Sequence, residues 1–159
     1  MVKVLFVCLG NICRSPTADG IFRELVRREK LDQRLLVDSA GTSNWHIGKA
    51  PDARTVSAAR QRGYDLSVLR ARQVSQADFD EFDYILAMDE ANLQELHAMK
   101  PAHFAGHLGL FLAFGSNSQY REVPDPYYGG SDGFELVLDL VEDAAQGLLG
   151  HVRSNLHVY

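Results

Sequence analysis

A cysteine and an arginine frame the stretch "CLGNICR", which runs from Cys8 to Arg14. A short loop of this kind directs successive backbone N–H groups toward one point, which makes a binding site for an anion. The guanidinium of Arg14 adds planar donors that match two oxygens of a tetrahedral oxyanion. Gly10 and Asn11 tolerate the turns that such a loop requires. The stretch therefore predicts a site for phosphate or a similar oxyanion.

Cys8 stands at the start of this loop, where the positive field that holds an oxyanion would also stabilise a thiolate. Ser15, directly after the loop, is placed to donate a hydrogen bond to that sulfur. A thiolate beneath a phosphoryl group is positioned to attack phosphorus and form a phosphocysteine, which water then cleaves. The alternative is that Cys8 and Cys13 are both inert buried thiols, since cysteine is often a small core residue.

Asp125 is the candidate for the acid that such a reaction needs at its leaving group. It lies in the stretch "PDPYY", where Pro124 and Pro126 stiffen the chain on either side. A positioned acid contributes about 10²–10⁴-fold to the rate. Tyr127 and Tyr128 are placed to wall a pocket for an aromatic leaving group. The alternative is an ordinary proline turn with two surface aromatic residues.

Alternating strand and helix patterns must position these residues. Strands are predicted at residues 2–7, 35–42, 82–88 and, more weakly, 107–114. The first helix is predicted from Ser15, as N-cap followed by Pro16, to about Lys30, and the second from Asp52 to Arg62. A third is predicted over 90–100, with Asp89 as its cap and Pro101 ending it, and a fourth over about 134–152. A short capped turn is predicted from Ser75 to Asp78.

This alternation predicts an α/β fold: a single domain over residues 1–159, with an open, doubly wound, four-stranded parallel sheet and helices on both faces. Ligands bind in such folds at the carboxyl ends of the strands, near the switch in strand order. Cys8 follows the first strand, so the predicted phosphate loop falls where this fold places its sites.

Composition excludes several other classes of function. The net charge of −5 argues against nucleic acid as the main partner. No stretch approaches the roughly 20 apolar residues that span a bilayer, so no membrane association is expected. The N-terminal residues do not have the pattern of a signal peptide, and the expected location is the cytoplasm, where thiols stay reduced. The six histidines show no zinc-like clustering with the cysteines, so no metal or cofactor is expected.

The chain resembles the low-molecular-weight protein tyrosine phosphatases over nearly its whole length. Four blocks carry the resemblance, in the same order as in that family: "FVCLGNICRSPTA", "DSAGTSNWHIGKAPDAR", "RARQVSQADFDEFDYILAMDEANL" and "DPYYGG" followed by "GFELV". The resemblance implies that the enzyme is metal-independent, with Cys8 as the nucleophile. Arg14 would bind phosphate and stabilise the transition state, and Asp125 would act first as general acid and then as general base.

The resemblance also implies further site residues. The phosphate-binding set would comprise Leu9, Gly10, Asn11, Ile12, Cys13 and Ser15, and the cleft for the phosphotyrosine ring would be lined by Trp45, Tyr127 and Tyr128. Cys13 matches a second loop cysteine that can form a reversible disulfide with the nucleophile. One position departs from the family pattern, because Leu69 stands where many members have a histidine that supports the loop asparagine. The support of Asn11 is therefore expected to be rearranged or weaker. His46, beside Trp45, either contacts substrate or is a solvated loop residue, and the second is expected.

Two other functions stay open at this point. A thiol-dependent arsenate reductase would use the same loop. Many such enzymes need a third cysteine, which this chain lacks, but a glutathione-dependent version needs fewer. Reduction has no need of the acid Asp125. A non-catalytic phosphoprotein-binding module would need the loop without the nucleophile and the acid. The expected partners are phosphotyrosine-containing proteins and free oxyanions, and the expected state is a monomer with at most weak self-association.

Overall fold

Four parallel strands form the sheet in a computed structural model that describes residues 1–127 and 129–156. They are β1 (Val2–Cys8), β2 (Leu35–Gly41), β3 (Tyr84–Ala87) and β4 (His107–Leu110), in the order β2-β1-β3-β4. Strand β2 pairs with one edge of β1 and strand β3 pairs with the other edge, so the switch in strand order lies between β1 and β3. The predicted doubly wound α/β sheet is confirmed, and the loop after β1 lies at its switch point.

The helices of the described residues are α1 (Arg14–Arg28), α2 (Ala53–Gln61), α3 (Asp78–Glu81), α4 (Glu90–Met99) and α5 (Ser131–Leu156), with a 3₁₀ turn at Phe111–Phe114. The predicted helix starts at Asp52 and Asp89 are confirmed. The Asp52 side chain accepts from the N–H of Arg54, and Asp89 forms a capping box with Asn92. Each cap satisfies an otherwise unpaired N–H of a first helical turn.

The core lies on both faces of β1, which explains its continuous apolar sequence. Val4 and Phe6 point to the face covered by α1 and α5, and Leu5 and Val7 point to the face covered by α3 and α4. All four side chains are fully buried. A central strand that is covered on both faces holds its carboxyl end, and therefore Cys8, in a fixed position.

Several predicted boundaries were wrong. Helix α1 begins at Arg14, so Ser15 is a helical residue and not the N-cap. The fourth strand ends at Leu110, because the next residues turn to bury Phe111 edge-to-face against Phe6. The third strand is limited to Tyr84–Ala87, and α5 extends beyond the predicted 134–152 at both ends.

The predicted capped turn at residues 75–78 is present. The Asp78 N–H donates to the Ser75 carbonyl at 3.1 Å, and the Asp78 carboxylate accepts from the N–H of Ser75 at 2.8 Å. Asp78 is also the first residue of α3.

Candidate active site

A pocket opens at the carboxyl ends of β1 and β2, with an empty volume of about 430 Å³. It is lined by Cys8, Leu9, Gly10, Ile12, Cys13, Arg14, Trp45, His46, Asp125 and Tyr127. The structure thus brings together residues that the sequence predicted from three separate stretches. The pocket's floor is the loop between β1 and α1.

The Cys8 sulfur lies at this floor, and the residue is 3% exposed. The backbone N–H of Asn11 donates to it at 3.3 Å, and the Ser15 hydroxyl lies 3.0 Å away. The sulfur therefore has one donor from the loop backbone and a hydroxyl group within hydrogen-bond distance.

Asn11 holds the loop in the shape that creates this site. Its backbone is left-handed, with φ 58°, and its side chain is almost fully buried. The amide nitrogen donates to the hydroxyls of Ser15 (2.8 Å) and Ser39 (3.0 Å). The amide oxygen accepts from the backbone N–H of Arg72 at 3.0 Å. All three bonds stabilise a conformation that L-residues seldom adopt.

The departure at Leu69 therefore does not leave Asn11 unsupported. Leu69 packs against the main hydrophobic core, and the three hydrogen bonds to the Asn11 side chain come from other residues. That this support is rearranged or weaker than the family pattern stays a prediction.

Ser15 is not among the residues that line the pocket. The hydrogen bond that it accepts from Asn11 limits where its own hydrogen can point. Because its oxygen accepts from Asn11, its single hydrogen is left for either the Cys8 sulfur or the carbonyl of Ala40, which is 3.3 Å away. A charged acceptor makes the stronger bond, so a thiolate at Cys8 would take that hydrogen.

Arg14 is buried beside the loop. One terminal nitrogen donates to Asp89 Oδ2 at 2.6 Å and to the Val123 carbonyl at 3.1 Å, and the other lies 3.6 Å from Asp125 Oδ2. Burial tends to lower the pKa of Arg14. The neighbouring Cys8 and the two carboxylates outweigh burial and raise that pKa, so the guanidinium stays charged.

Asp89 was missed as a site residue by sequence reasoning, which assigned it only the cap of α4. Its Oδ1 accepts from the N–H of Asn92, while its Oδ2 binds Arg14. The available signal was its position, since Asp89 follows β3 at the same edge of the sheet as Cys8. One carboxylate thus fixes both a helix start and the direction of the guanidinium.

Asp125 projects into the pocket from the loop before α5. Its Oδ1 accepts from the N–H of Tyr127 at 3.0 Å, and its side chain is 40% exposed. Its Oδ2 lies 3.6 Å from a terminal nitrogen of Arg14, and both residues line the pocket.

Aromatic side chains form the rim. Trp45 is 67% exposed, and Trp45 and Tyr127 both line the pocket. The guanidinium of Arg54 lies 5.5 Å from the centre of the Tyr127 ring and donates to the Tyr127 carbonyl. Tyr128 lies outside the described residues. The prediction that His46 is solvated was wrong, because its half-buried ring lines the pocket and packs over Gly10.

The second loop cysteine differs from the first. Cys13 is 4% exposed, and burial, together with the negative charge of Asp52, raises its pKa to about 12. Cys13 is therefore a neutral thiol at neutral pH. Both cysteines are free, and both line the pocket.

Within residues 1–127 and 129–156, no three histidine, cysteine or acidic side chains are grouped so that they could hold a metal ion. No helix of the same residues is long and apolar enough to cross a membrane.

Comparisons with known proteins extend the likeness beyond the site. The family model "Low molecular weight phosphotyrosine protein phosphatase" matches residues 3–158. The chain is 42% identical over 154 residues to the low molecular weight protein-tyrosine-phosphatase YfkJ of Bacillus subtilis, covering 97% of each chain. It is 46% identical over 143 residues to the low molecular weight phosphotyrosine protein phosphatase of Schizosaccharomyces pombe, covering 89% of this chain and 91% of that one.

A solved structure shows the same relationship in three dimensions. The crystal structure of a protein tyrosine phosphatase from Entamoeba histolytica, with Hepes in its active site, matches with a TM-score of 0.94 and 39% identity. The match covers 98% of this chain and 99% of that one. The likeness therefore includes the whole fold and not the phosphate loop alone.

Proposed function

Since the chain belongs to the low molecular weight phosphotyrosine protein phosphatase family, we propose that it hydrolyses phosphotyrosine and aryl phosphates through a phosphocysteine at Cys8. The observation that carries this proposal is the position of the Cys8 sulfur. It lies at the floor of a pocket, accepts from the Asn11 N–H, and has the buried, charged Arg14 beside it.

The first chemical step transfers the phosphoryl group to the enzyme. The backbone N–H groups of residues 9–14 and the Arg14 guanidinium hold three phosphate oxygens above the sulfur. The Cys8 thiolate attacks phosphorus, the bond from phosphorus to the phenol oxygen breaks, and Asp125 gives that oxygen a proton. The products are a phosphocysteine and a neutral phenol, and Asp125 is left as a carboxylate.

The second step restores the enzyme. The Asp125 carboxylate takes a proton from a water molecule as that water attacks phosphorus, and the bond between sulfur and phosphorus breaks. Inorganic phosphate is released and Cys8 returns to the thiolate. The Ser15 hydroxyl stabilises the departing sulfur through the hydrogen bond at 3.0 Å.

The rim supports a preference for aromatic substrates. Trp45 and Tyr127 both line the pocket, so a phenyl ring has aromatic surfaces to contact while its phosphate reaches the floor. Phosphoserine is shorter and lacks a ring, so it gains less from this rim. The proposed protein substrates are therefore phosphotyrosine-containing proteins.

Arsenate reduction is not favoured. The family match is to phosphatases, the chain has two cysteines and thus no third one to relay electrons, and Asp125 faces the pocket, where a reductase has no need of it.

We also infer that residues 1–159 act as one domain, as a monomer in the cytoplasm. The two free thiols at the site support a reducing compartment. Sedimentation of the purified chain at several concentrations tests the monomer, and a mass that rises to that of a dimer at low concentration contradicts it.

Hydrolysis of an aryl phosphate in the presence of a metal chelator tests the proposed reaction. Wild type and Cys13→Ser should turn over, and Cys8→Ser should not. Substantial turnover by Cys8→Ser, or loss of wild-type activity in the chelator, would rule the proposal out. Phosphotyrosine and phosphoserine peptides of the same sequence then test the preference, which a higher kcat/KM for phosphoserine would refute.

A further inference from the structure

A short segment outside the main sheet, residues 71–74, lies along the back of the phosphate loop. Its backbone pairs with the end of β2, because the Gly41 N–H donates to the Arg72 carbonyl and the Val74 N–H donates to the Gly41 carbonyl, both at 2.8 Å. On its other side the Arg72 N–H donates to Asn11 Oδ1 at 3.0 Å. Arg72 therefore connects β2 directly to the residue that shapes the loop.

The Arg72 side chain anchors this segment to two further elements. Both terminal nitrogens donate to the buried carboxylate of Asp78, at the start of α3, at 3.0 Å each. The Nε donates to Asp38 Oδ2, on β2, at 3.2 Å. A two-point bond between a guanidinium and a buried carboxylate has a fixed geometry. The Arg72 side chain thus adds a second anchor to the backbone hydrogen bond that Arg72 makes with Gly41.

The bond from Arg72 to Asn11 has a chemical consequence. A side-chain amide can rotate by about 180°, which exchanges the positions of its oxygen and its nitrogen. With the oxygen held by the Arg72 N–H, the nitrogen must face Ser15 and Ser39. If the amide turned over, the Ser15 hydroxyl would donate to Asn11 and its hydrogen would no longer be available to the Cys8 sulfur.

We propose that Arg72 is a positioning residue for catalysis, because its anchored backbone N–H fixes the orientation of Asn11 and so directs the Ser15 hydroxyl at Cys8. This inference rests on the proposed phosphatase function. Arg72 touches neither substrate nor sulfur, and it acts through Asn11 and Ser15.

The test compares Arg72→Met with Arg62→Met. Arg62 is a matched control, since it also binds several carboxylates (Glu135, Asp139 and Glu142), but these lie on α5, away from the pocket. For Arg72→Met, kcat toward an aryl phosphate should fall by about 10²-fold, as expected for a displaced catalytic group, while KM stays unchanged. Alkylation of Cys8 by iodoacetamide near neutral pH should slow in parallel. Arg62→Met should lower the unfolding temperature and leave both rates unchanged.

Two conservative variants keep the inference testable if Arg72→Met does not fold. Arg72→Lys keeps the charge without the two-point bond, and Asp78→Asn removes the charged partner, so each should give an intermediate loss of kcat. Wild-type rates of turnover and alkylation in Arg72→Lys and Asp78→Asn would overturn the inference and leave the proposed function intact. Absence of Cys8-dependent turnover in the wild type would overturn both.

Discussion

The two cysteines of the phosphate loop are kept chemically distinct by their surroundings. Cys8 accepts from the Asn11 N–H and lies beside Ser15 and the charged Arg14, whereas Cys13 is buried and its pKa is raised to about 12. Because the thiolate is the nucleophile, Cys13 must lose its proton as its sulfur attacks. We expect peroxide to convert the Cys8 sulfur to a sulfenic acid, and the Cys13 sulfur to displace the hydroxyl, which leaves with the Cys13 proton as water and forms a disulfide.

This difference predicts how the enzyme responds to peroxide. In the wild type, inactivation should be largely reversed by added thiol, because a disulfide between Cys8 and Cys13 is reducible. In Cys13→Ser, the initial activity should be close to that of the wild type, but peroxide should cause lasting loss. Activity measured before and after thiol treatment checks this, and equal recovery in both proteins would contradict a protective role for Cys13.

Asp125 should matter most when the leaving group is poor. Replacing it by Asn keeps the shape of the side chain but removes the proton that the phenol oxygen needs. For phenyl phosphate, kcat/KM of Asp125→Asn should fall by about 10²–10⁴-fold, the usual contribution of a general acid. For an aryl phosphate whose phenol is strongly acidic, the loss should be much smaller. A uniform loss across a series of aryl phosphates would contradict the assignment of Asp125 as the acid.

At the level of elements, the phosphate loop depends on how closely β2 approaches it. A Cβ added at Gly41 would lie 2.7 Å from the Leu9 carbonyl oxygen and 3.1 Å from the Asn11 nitrogen. Both of these atoms belong to the backbone of the loop, so no side-chain rotation relieves the contact. The absence of a side chain at Gly41 is therefore a requirement of the site.

Gly41→Ala should displace the loop and weaken oxyanion binding. Inhibition by inorganic phosphate should need a higher concentration than in the wild type, and kcat/KM should fall, since the N–H groups of the loop no longer converge on one point. Gly150→Ala is the control, because a Cβ there meets no atom within 4 Å. An unchanged inhibition constant in Gly41→Ala would show that the loop tolerates the added carbon.

The site could be predicted from sequence to the extent that it is local. Cys8 and Arg14 belong to one loop, and Asp125 lies in a distinctive proline turn, so their types and spacing were sufficient to propose them. Asp89, Ser39 and Arg72 escaped prediction as site residues because they reach the loop through tertiary contacts, and each has an ordinary role in its own element. The doubly wound parallel sheet was predictable because the alternation of strands and helices allows few arrangements.

Some boundaries of strands and helices were also not predictable from local patterns, because tertiary contacts determine them. The continuation of β4 into the stretch "FLAF" has the composition of a strand, yet Phe111 and Leu112 turn inward because the core beneath them has room for both. The choice between strand and turn is made by packing against Phe6 and α5, which a short window of sequence does not contain.

For the whole molecule, α5 closes the larger of the two apolar clusters by packing against α1 and the 3₁₀ turn. Gly147 permits this approach, since a Cβ there would collide with the backbone carbonyl of Phe114. The contact lies far along α5 from Asp125 and its loop. Stability and catalysis should therefore respond separately to changes at this position.

Gly147→Ala should lower the free energy of unfolding by about 1–3 kcal/mol, as overpacking of a core does. Gly150→Ala, on the same helix but facing solvent, should raise it by up to about 1 kcal/mol through helix propensity. Denaturant unfolding measures both, and kcat of the folded proteins should stay at the wild-type value. Equal stability of the two variants would contradict the close contact between α5 and the 3₁₀ turn.

The most direct test of the central claim is to locate the phosphoryl group during turnover. Wild type and Asp125→Asn are mixed with an aryl phosphate that has an acidic phenol, quenched in acid, digested and examined by fragmentation mass spectrometry, which separates Cys8 from Cys13. We expect a phosphoryl group on the Cys8 sulfur in both proteins, in a larger fraction for Asp125→Asn because its second step is slower. Continued turnover with Cys8 unmodified, or a phosphoryl group on another residue, would contradict the account.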